Sequence, residues 1–339
     1  MRRFALITVS LLVILSLVLS GCGATTSSGG TKVKKIGFST DVGRIDDKSF
    51  NQSAWEAVQS VGKELKAEVK YVVTTDAKDY LKNIQQFVDN GYDVVVTSGF
   101  AYGEATIEAA KKWPNVKFIG TDQAQTDVLP NLVGVVFNED QSGFLAGALA
   151  ASMTKSKVVG AVLGTDVVPP VVKFGKGFEN GVKYIDPTVK VVTAYHPGGL
   201  AKGFIDPDWG ASTAKAMIDQ QKADVIFGAG GLTGNGALLY CAKPEVNVMA
   251  IGVDTDQYLT LDGAQKVLLS SAMKLIGPGV ISAVKSINSG TWKGGNQPGP
   301  VGLAPYHDWD SKIPQAVKDK IKTIDKGLQD GSIKTNVVL

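Results

Sequence analysis

The sequence predicts an α/β protein of two similar lobes, each a doubly wound parallel sheet, joined by a hinge. Short apolar runs alternate with amphipathic runs, which is typical of parallel strands with helices on both faces of the sheet. The order is repeated: YDVVVTSG, ending at Gly99, matches ADVIFGAG, ending at Gly230, and KKIGFSTD, ending at Asp41, matches VVGAVLGTD, ending at Asp166. A chain of 339 residues is also long for a single core.

The first round of the pattern predicts five buried strands separated by amphipathic helices. The strands are Lys34–Thr40, Val69–Thr75, Asp93–Ser98, Val116–Thr121 and Leu132–Phe137, and the helices include Ser49–Leu65, Tyr80–Asn90 and Glu104–Trp113. The second round begins with a strand at Lys157–Leu163 and closes with a strand at Val267–Met273 and a helix at Gly277–Asn288. From Ser311 onward the pattern predicts a surface helix rich in lysine.

Three crossings between the lobes are expected, near Asn138, Lys274 and Pro305. Closure about these crossings would bury a ligand from both sides. The N-terminal lobe would comprise residues 34–138 plus 275–304, and the C-terminal lobe residues 139–274 plus 305–339.

Residues 1–21 have the features of a secretory signal peptide. Arg2 and Arg3 precede an apolar run from Phe4 to Leu19, which is shorter than the ~20 residues that a membrane-spanning helix needs. Leu-Ser-Gly-Cys, ending at Cys22, resembles the lipobox of bacterial lipoproteins, in which the cysteine becomes the lipidated N-terminus. Residues 22–33 would then be the lipidated cysteine and a flexible tether. We expect a lipoprotein held by palmitate at the extracytoplasmic face of the cell membrane; an uncleaved N-terminal anchor is the alternative.

Several classes of function have little support in the sequence. The formal net charge is +3, removal of the two arginines of the signal peptide leaves +1, and no run of like charge indicates a nucleic-acid partner. His196 and His307 have no further ligand at metal spacing, so neither a metal nor a cofactor is expected. Cys241 lies in an apolar run and is expected to be buried. No serine-nucleophile motif or phosphate-binding loop occurs.

Polar residues and one glycine follow the predicted strands. In open α/β sheets, ligands bind beyond the carboxyl ends of the strands, and two facing lobes would bring these ends to one cleft. The residues predicted there to bind ligand are Asp41, Ser98, Asp122, Gly230 and Asp254, with Lys274 at the end of a further strand. The stretch TDVGRIDDKSFNQSAWEAV adds Asp47, Phe50 and Asn51 at the start of a helix.

The segment GAGGLTGNGA, from Gly228 to Ala237, approaches a dinucleotide-binding fingerprint. It has Thr233 where the last glycine is required, so a dinucleotide site is disfavoured. Its glycines would instead allow backbone amides to approach a ligand closely, or would simply form a tight strand-to-helix turn.

The motifs together resemble the basic membrane lipoprotein family. DDKSFNQSAWE (46–56), TSGFAYG (97–103), FIGTDQ, NEDQSGFLAGALAA (138–151), FGKGFENGV (174–182), IGVDTDQ and SSAMK (270–274) occur in the family's order across essentially the whole mature chain. The resemblance implies the two-lobed fold of type I periplasmic binding proteins and a purine-nucleoside receptor of an ABC importer. The chain departs from the family at Ala57, where glycine is frequent, and this position affects packing rather than the ligand.

Phe50 and Phe174 are the predicted stacking residues. Each lies on the apolar stripe of its helix, where core residues are spaced, but each is also near the start of the helix and hence near the cleft. Together with the resemblance, this position predicts two rings from opposite lobes around a purine, at ~1–3 kcal/mol per face. Phe178, one turn further along, is expected in the core.

The polar contacts are predicted from residue chemistry. Asp254 would accept hydrogen bonds from the vicinal ribose hydroxyls, and Lys274 would donate to the same oxygens. Asp122 and Asn51 would contact the edge of the base. Asp47 would either contact the ligand or cap its helix, which contributes ~1 kcal/mol by itself.

The sequence therefore predicts a monomeric, lipid-anchored receptor, not an enzyme, that captures a nucleoside, with a purine expected, and delivers it to an ABC permease. A receptor for a sugar or another polar metabolite on the same fold is the alternative among binding proteins. An extracytoplasmic nucleosidase that uses Asp254 or Asp122 is an alternative from another class, and it would release free base and ribose. A signalling receptor or adhesin that retains the fold is a third alternative.

Overall fold

The computed structural model describes residues 32–339, which form two six-stranded sheets with helices packed on them. The predicted signal peptide, Cys22 and the tether up to Thr31 lie outside the described residues. In the part of the chain that is described, we find no helix with the length and apolar character needed to cross a membrane.

The strands of the first sheet are β1 (Lys35–Thr40), β2 (Glu68–Val73), β3 (Val94–Ser98), β4 (Lys117–Thr121), β5 (Leu132–Val136) and β11 (Gly295–Pro298). This sheet is entirely parallel and has the spatial order β11-β5-β4-β3-β1-β2. The first five were predicted, each to within two residues at either end.

The strands of the second sheet are β6 (Val158–Leu163), β7 (Lys190–Tyr195), β8 (Val225–Ala229), β9 (Met249–Asp254), β10 (Leu268–Lys274) and β12 (Val301–Leu303). Their spatial order is β12-β10-β9-β8-β6-β7, and only the edge strand β12 is antiparallel to its neighbour, β10. Two doubly wound sheets of the same order confirm the predicted fold class.

The described part of the chain contains eleven α-helices, of which the last follows the final strand. They are α1 (Phe50–Leu65), α2 (Tyr80–Asp89), α3 (Gly103–Lys112), α4 (Glu139–Met153), α5 (Pro169–Ile185), α6 (Gly199–Lys202), α7 (Pro207–Asp219), α8 (Gly231–Cys241), α9 (Gln257–Thr260), α10 (Ile276–Ser289) and α11 (Gln315–Asp330).

Helices cover both faces of the first sheet because its central strands are apolar on both sides. Val94 and Val96 of β3 pack in one buried cluster with residues of α1 and α10. Val95, whose side chain points to the opposite face, packs in another cluster with residues of α2 and α3. Such double burial explains why the strands appear in the sequence as continuous apolar runs.

Helices α4 and α5 approach unusually closely through glycines. A Cβ atom on Gly147 would lie 2.0 Å from the carbonyl oxygen of Phe178, and one on Gly181 would lie 2.0 Å from that of Phe144. The motifs NEDQSGFLAGALAA and FGKGFENGV are therefore explained in part by helix packing in the second lobe. The tail helix α11 adds to this core through Ile321, Ile324 and other buried apolar residues on one of its faces.

The chain passes between the sheets three times. Two passages, from β5 to α4 and from β10 to α10, coincide with the crossings expected near Asn138 and Lys274. The third lies between Pro298 and Val301, because β12 pairs with β10 of the second sheet. The expected boundary after residue 304 was therefore misplaced. Glycine and proline flank this short edge strand, and because both are uncommon in strands the sequence does not indicate one here.

Candidate functional site

The carboxyl ends of both sheets border one cavity between the lobes. It encloses about 620 Å³ of space, which includes its opening to solvent. Nine of the ten residues predicted to bind ligand line it: Asp41, Asp47, Phe50, Asn51, Asp122, Phe174, Gly230, Asp254 and Lys274. The rule that ligands bind beyond the carboxyl ends of parallel strands thus located the cavity correctly.

Ser98 and Gly230 support the cavity wall. Ser98 is fully buried and donates a hydrogen bond from its hydroxyl to Asn51 Oδ1 at 2.9 Å, so it orients the asparagine rather than lining the cavity. A Cβ atom on Gly230 would lie 2.5 Å from the backbone nitrogen of Gly164. Gly230 is therefore required for the close contact of two strand ends as well as bordering the cavity.

Asp122 and Asp254 occupy equivalent positions in the two lobes. Asp122 follows β4, Asp254 ends β9, and both have a left-handed backbone, with φ of 61° and 65°. Aspartate tolerates this conformation better than most residues because its short side chain can hydrogen-bond locally. The repeated sequences FIGTDQ and IGVDTDQ thus form a repeated turn that presents a carboxylate to the cavity from each lobe.

Lys274 lies at the centre of this acidic group and is only 3% exposed. Its Nζ is 2.5 Å from Asp122 Oδ2, 3.8 Å from Asp254 Oδ1 and 3.8 Å from Glu139 Oε1. Burial lowers the pKa of Lys274, but the three carboxylates outweigh it and raise the pKa above its ordinary value. The charged Lys274 ammonium group therefore contacts one carboxylate from each lobe, and it lies next to the second passage of the chain between the sheets.

The buried carboxylates outnumber the cations around them. Burial raises the pKa of Asp122, Asp254 and Glu139, and Lys274 opposes the shift in each case. Burial and the charges of neighbouring aspartates raise the pKa of Asp41 to about 7. Since this pKa is near neutral pH, the Asp41 carboxyl group can donate as well as accept hydrogen bonds.

Glu139 is a site residue that the sequence analysis missed. It begins α4, immediately after the first crossing, and is 1% exposed. One of its oxygens faces Lys274, and the other lies 3.1 Å from Lys173 Nζ. The sequence feature that could have indicated Glu139 is the acidic pair at the start of a long apolar helix. Acidic residues are common in the first turn of any helix, however, because they interact favourably with the helix dipole.

Asp47 holds the start of α1. Its carboxylate accepts hydrogen bonds from the backbone N–H groups of Ser49, Asn51 and Gln52 at 3.0, 2.9 and 3.1 Å. Burial raises the pKa of Asp47 to about 6, although these three hydrogen bonds oppose the shift. Of the two roles expected for Asp47, these contacts favour the helix cap.

The two predicted aromatic residues flank the Lys274 ammonium group. The ring centroid of Phe50 lies 4.5 Å from Nζ and that of Phe174 lies 5.5 Å from it. Phe178, by contrast, is fully buried and stacks on Phe227 with ring centroids 5.1 Å apart, as expected for a core residue. Phe50 and Phe174 therefore bring one ring from each lobe to the same cavity.

Direct hydrogen bonds join the lobes along one flank of the cavity. Ser49 Oγ donates to Asp254 Oδ2 at 2.7 Å, and Asn235 Nδ2 donates to the backbone oxygen of Asp47 at 2.8 Å. The backbone oxygen of Lys48 accepts from two further side chains of the second lobe. The lobes are therefore closed, and the acidic loop before α1 forms part of the closed interface.

The histidines and the cysteine lie elsewhere. His196 pairs with Asp206 and His307 with Asp256, and neither histidine lines the cavity. Cys241 is buried in the core of the second lobe. Within residues 32–339, no group of three or more histidine, cysteine, aspartate or glutamate residues has the arrangement of a metal site.

Comparison with known proteins identifies the family to which this chain belongs. A family model described as "ABC transporter substrate-binding protein PnrA-like" matches residues 34–298. An "ABC transporter nucleoside-binding protein BmpA" from Lactococcus lactis subsp. cremoris is 34% identical over 82% of this chain and 83% of its own length. An "uncharacterized lipoprotein" from Pyrococcus abyssi is 30% identical over 87% of this chain and 74% of its own length.

A solved structure agrees on the fold. An ABC transporter solute-binding protein from Aeropyrum pernix K1 superposes with a TM-score of 0.79 at 24% identity, over 89% of this chain and 92% of its own. This identity is low enough that the likeness supports the architecture alone. With the family model covering most of the chain, the protein belongs to the PnrA-like family of ABC transporter substrate-binding proteins.

Proposed function

We propose that the protein captures a nucleoside, with a purine as its base, between the closed lobes and delivers it to an ABC permease. The observation that carries this proposal is the presence of two aromatic rings from opposite lobes, Phe50 and Phe174, and a lysine–carboxylate cluster in one cavity. Apolar rings beside a few convergent polar groups suit a ligand with a planar heterocycle and a polyhydroxyl sugar.

The base would lie between Phe50 and Phe174, and its edge would face Asn51 and Asp41. Each stacked face contributes ~1–3 kcal/mol. Ser98 donates to the Asn51 amide oxygen, so the Nδ2 group, which also hydrogen-bonds to Asp41, is the part of Asn51 that would donate to a ring nitrogen or carbonyl of the base. Because the pKa of Asp41 is about 7, this residue can present either a carboxylate or a carboxylic acid to the base.

The ribose would lie against Lys274 and its carboxylates. Asp254 would accept from the vicinal hydroxyls and Lys274 would donate to them, at roughly 1.5–3 kcal/mol for each charged hydrogen bond. Because Asp122 pairs closely with Lys274, we propose that it contacts the ribose, whereas the sequence analysis expected it at the edge of the base. Asp122 Oδ1 is buried without a hydrogen-bond partner among the described residues, and it is an acceptor for a sugar hydroxyl.

We also propose that the receptor is anchored through lipid on Cys22 and works as a monomer beside its permease. Relatives named as lipoproteins support the anchor, as does the lipobox-like sequence at Cys22. Metabolic labelling with palmitate should mark the wild-type protein, and Cys22→Ser should abolish the label and release the protein from the membrane fraction. Retention of the label in the variant would contradict this anchor.

Calorimetric titration of residues 32–339 tests the ligand. The protein should first be unfolded and refolded to remove ligand carried from the host. We expect micromolar or tighter binding of guanosine, adenosine or inosine, about −8 kcal/mol or better, and strong weakening by Phe50→Ala and Asp254→Ala. Tyr184→Ala, which removes an aromatic ring that is 54% exposed and outside the cavity, is the matched control and should bind normally.

Other outcomes of this titration would reject the proposal. Heat from ribose or glucose with none from any nucleoside would indicate a sugar receptor. Chromatographic detection of free base and ribose after incubation with a nucleoside would indicate a nucleosidase.

A further inference from the structure

The cleft contains a second, roomier space on the other side of Asp122, which we call the outer chamber. It encloses about 1260 Å³, including its opening to solvent, between the lobes. Phe100, Asp122 and Pro170 line both the outer chamber and the inner cavity described above, so the two adjoin. The outer chamber has no role in the proposed capture of a simple nucleoside.

The position of the outer chamber follows from an asymmetry in lobe closure. The flank at residues 47–49 is sealed by hydrogen bonds from Asn235, Gln257 and Thr260. The outer chamber lies instead between the start of α3, at Gly103 and Glu104, and the start of α5, at Pro169. An enclosed ligand could therefore extend in this direction without separating the sealed flank.

The lining of the outer chamber is largely apolar, and its charges are mostly negative. Its apolar side chains include Phe100, Ile107, Phe137, Val167 and Leu200. Its charged residues are Asp122, Glu104, Glu139 and Lys173, and the Lys173 ammonium group is already 3.1 Å from Glu139. Three carboxyl groups against one engaged cation disfavour a phosphate, whereas an uncharged apolar group could be buried there.

The orientation of the ribose would direct its 5′ carbon toward this space. This step rests on the proposed function, in which Asp254, at the sealed flank through Ser49, binds the vicinal hydroxyls. The 5′ carbon lies on the ribose edge away from C2′, so it would face Asp122. Asp122 lines both the inner cavity and the outer chamber and is more than nine-tenths buried, and its Oδ1 has no hydrogen-bond partner among the described residues.

We propose that the outer chamber accepts an uncharged substituent on the 5′ position, so that the receptor takes 5′-modified nucleosides such as 5′-alkylthio derivatives as well as simple nucleosides. A 5′-phosphate is excluded by the carboxylates on the chamber wall.

Titration of refolded wild-type protein with adenosine, 5′-methylthioadenosine, 5′-isobutylthioadenosine and AMP tests the inference. We expect both thioethers to bind within about tenfold of adenosine, and AMP to bind at least about a hundredfold more weakly. Loss of binding to both thioethers, with adenosine still bound, would overturn the inference and leave the proposed function intact. Absence of adenosine binding would remove the proposed function, and the inference with it.

Variants that fill the outer chamber locate the substituent. Val167→Trp and Ile107→Trp fill it from opposite lobes, and Val128→Trp changes a similarly exposed valine outside it (63% exposed, against 56% for Val167). We expect at least one filling variant to weaken 5′-isobutylthioadenosine about tenfold while adenosine changes by less than about threefold. If neither variant discriminates the two ligands, or if Val128→Trp does so equally, the substituent lies elsewhere and the inference is wrong.

Discussion

Replacing Lys274 with methionine should strongly destabilise the protein at pH 8, because it leaves the surrounding carboxylates without their cation. Lys274 Nζ lies 2.5 Å from Asp122 and 3.8 Å from both Asp254 and Glu139, and all four side chains are at most 9% exposed. Removing one partner of a buried ion pair costs about 3–5 kcal/mol. Methionine keeps most of the volume, so the cost would come from charge rather than from a cavity.

The loss of unfolding free energy caused by Lys274→Met should increase as pH rises. Burial already raises the pKa of Asp122, Asp254 and Glu139, and removal of Lys274 removes the main opposing charge. A carboxyl group whose pKa is higher in the folded than in the unfolded state stabilises the fold at low pH, and this stabilisation is lost as pH rises through the folded-state pKa. The Lys274→Met penalty should therefore be small at pH 5 and full at pH 8.

Urea unfolding of refolded, ligand-free protein at pH 5, 6.5 and 8 measures this effect. Lys215→Met, which removes an exposed partner of Asp219, is the matched control and should leave the unfolding free energy unchanged at every pH. A Lys274→Met protein within about 1 kcal/mol of wild type at pH 8, or one with a penalty independent of pH, would refute this account of the cluster.

Three further predictions concern the acidic loop and its neighbours. Gly99→Ala should destabilise the protein by about 1–3 kcal/mol and weaken nucleoside binding. The backbone φ is 109° at this position, and the new Cβ would lie 1.9 Å from Asp41 Oδ2. A variant whose urea unfolding and nucleoside affinity equal those of wild type would contradict this prediction. Asp47→Ala should cost about 1–2 kcal/mol in urea unfolding by removing the helix cap, and an unchanged midpoint would show that the cap is dispensable. Between pH 5 and 8 the unfolding free energy of wild type should fall as pH rises through the folded-state pKa values of about 7 for Asp41 and about 6 for Asp47. Asp41→Asn should flatten this fall, and an unaltered pH profile would argue against Asp41 as its source.

The position of the cavity could be predicted because it depends on local patterns. Buried parallel strands appear as apolar runs, and the residue after each run lies at a carboxyl end, which is how Asp41, Asp122 and Asp254 were identified. The repeated order of motifs added that the two sets of strand ends would face each other. Phe50 and Phe174 were predicted from their position near the starts of α1 and α5 together with the family resemblance.

The partners within the cavity could not be predicted, because they depend on contacts between distant parts of the chain. Asp122 and Lys274 are 152 residues apart, and nothing near either residue in the sequence indicates that they pair. Glu139 resembles an ordinary acidic residue of a first helical turn, and its burial between Lys173 and Lys274 follows only from the packing of α4 against α5 and β10 within the second lobe. The two roles of Asp47 could not be separated until the geometry of its backbone donors was known.

A crystal structure of residues 32–339 soaked with inosine would show whether a nucleoside binds between the two aromatic rings. We expect the hypoxanthine ring between Phe50 and Phe174, and ribose hydroxyls within about 2.7–3.2 Å of Asp254 and Lys274. Inosine bound outside this cavity, or a base that contacts neither aromatic ring, would rule out the proposed binding mode.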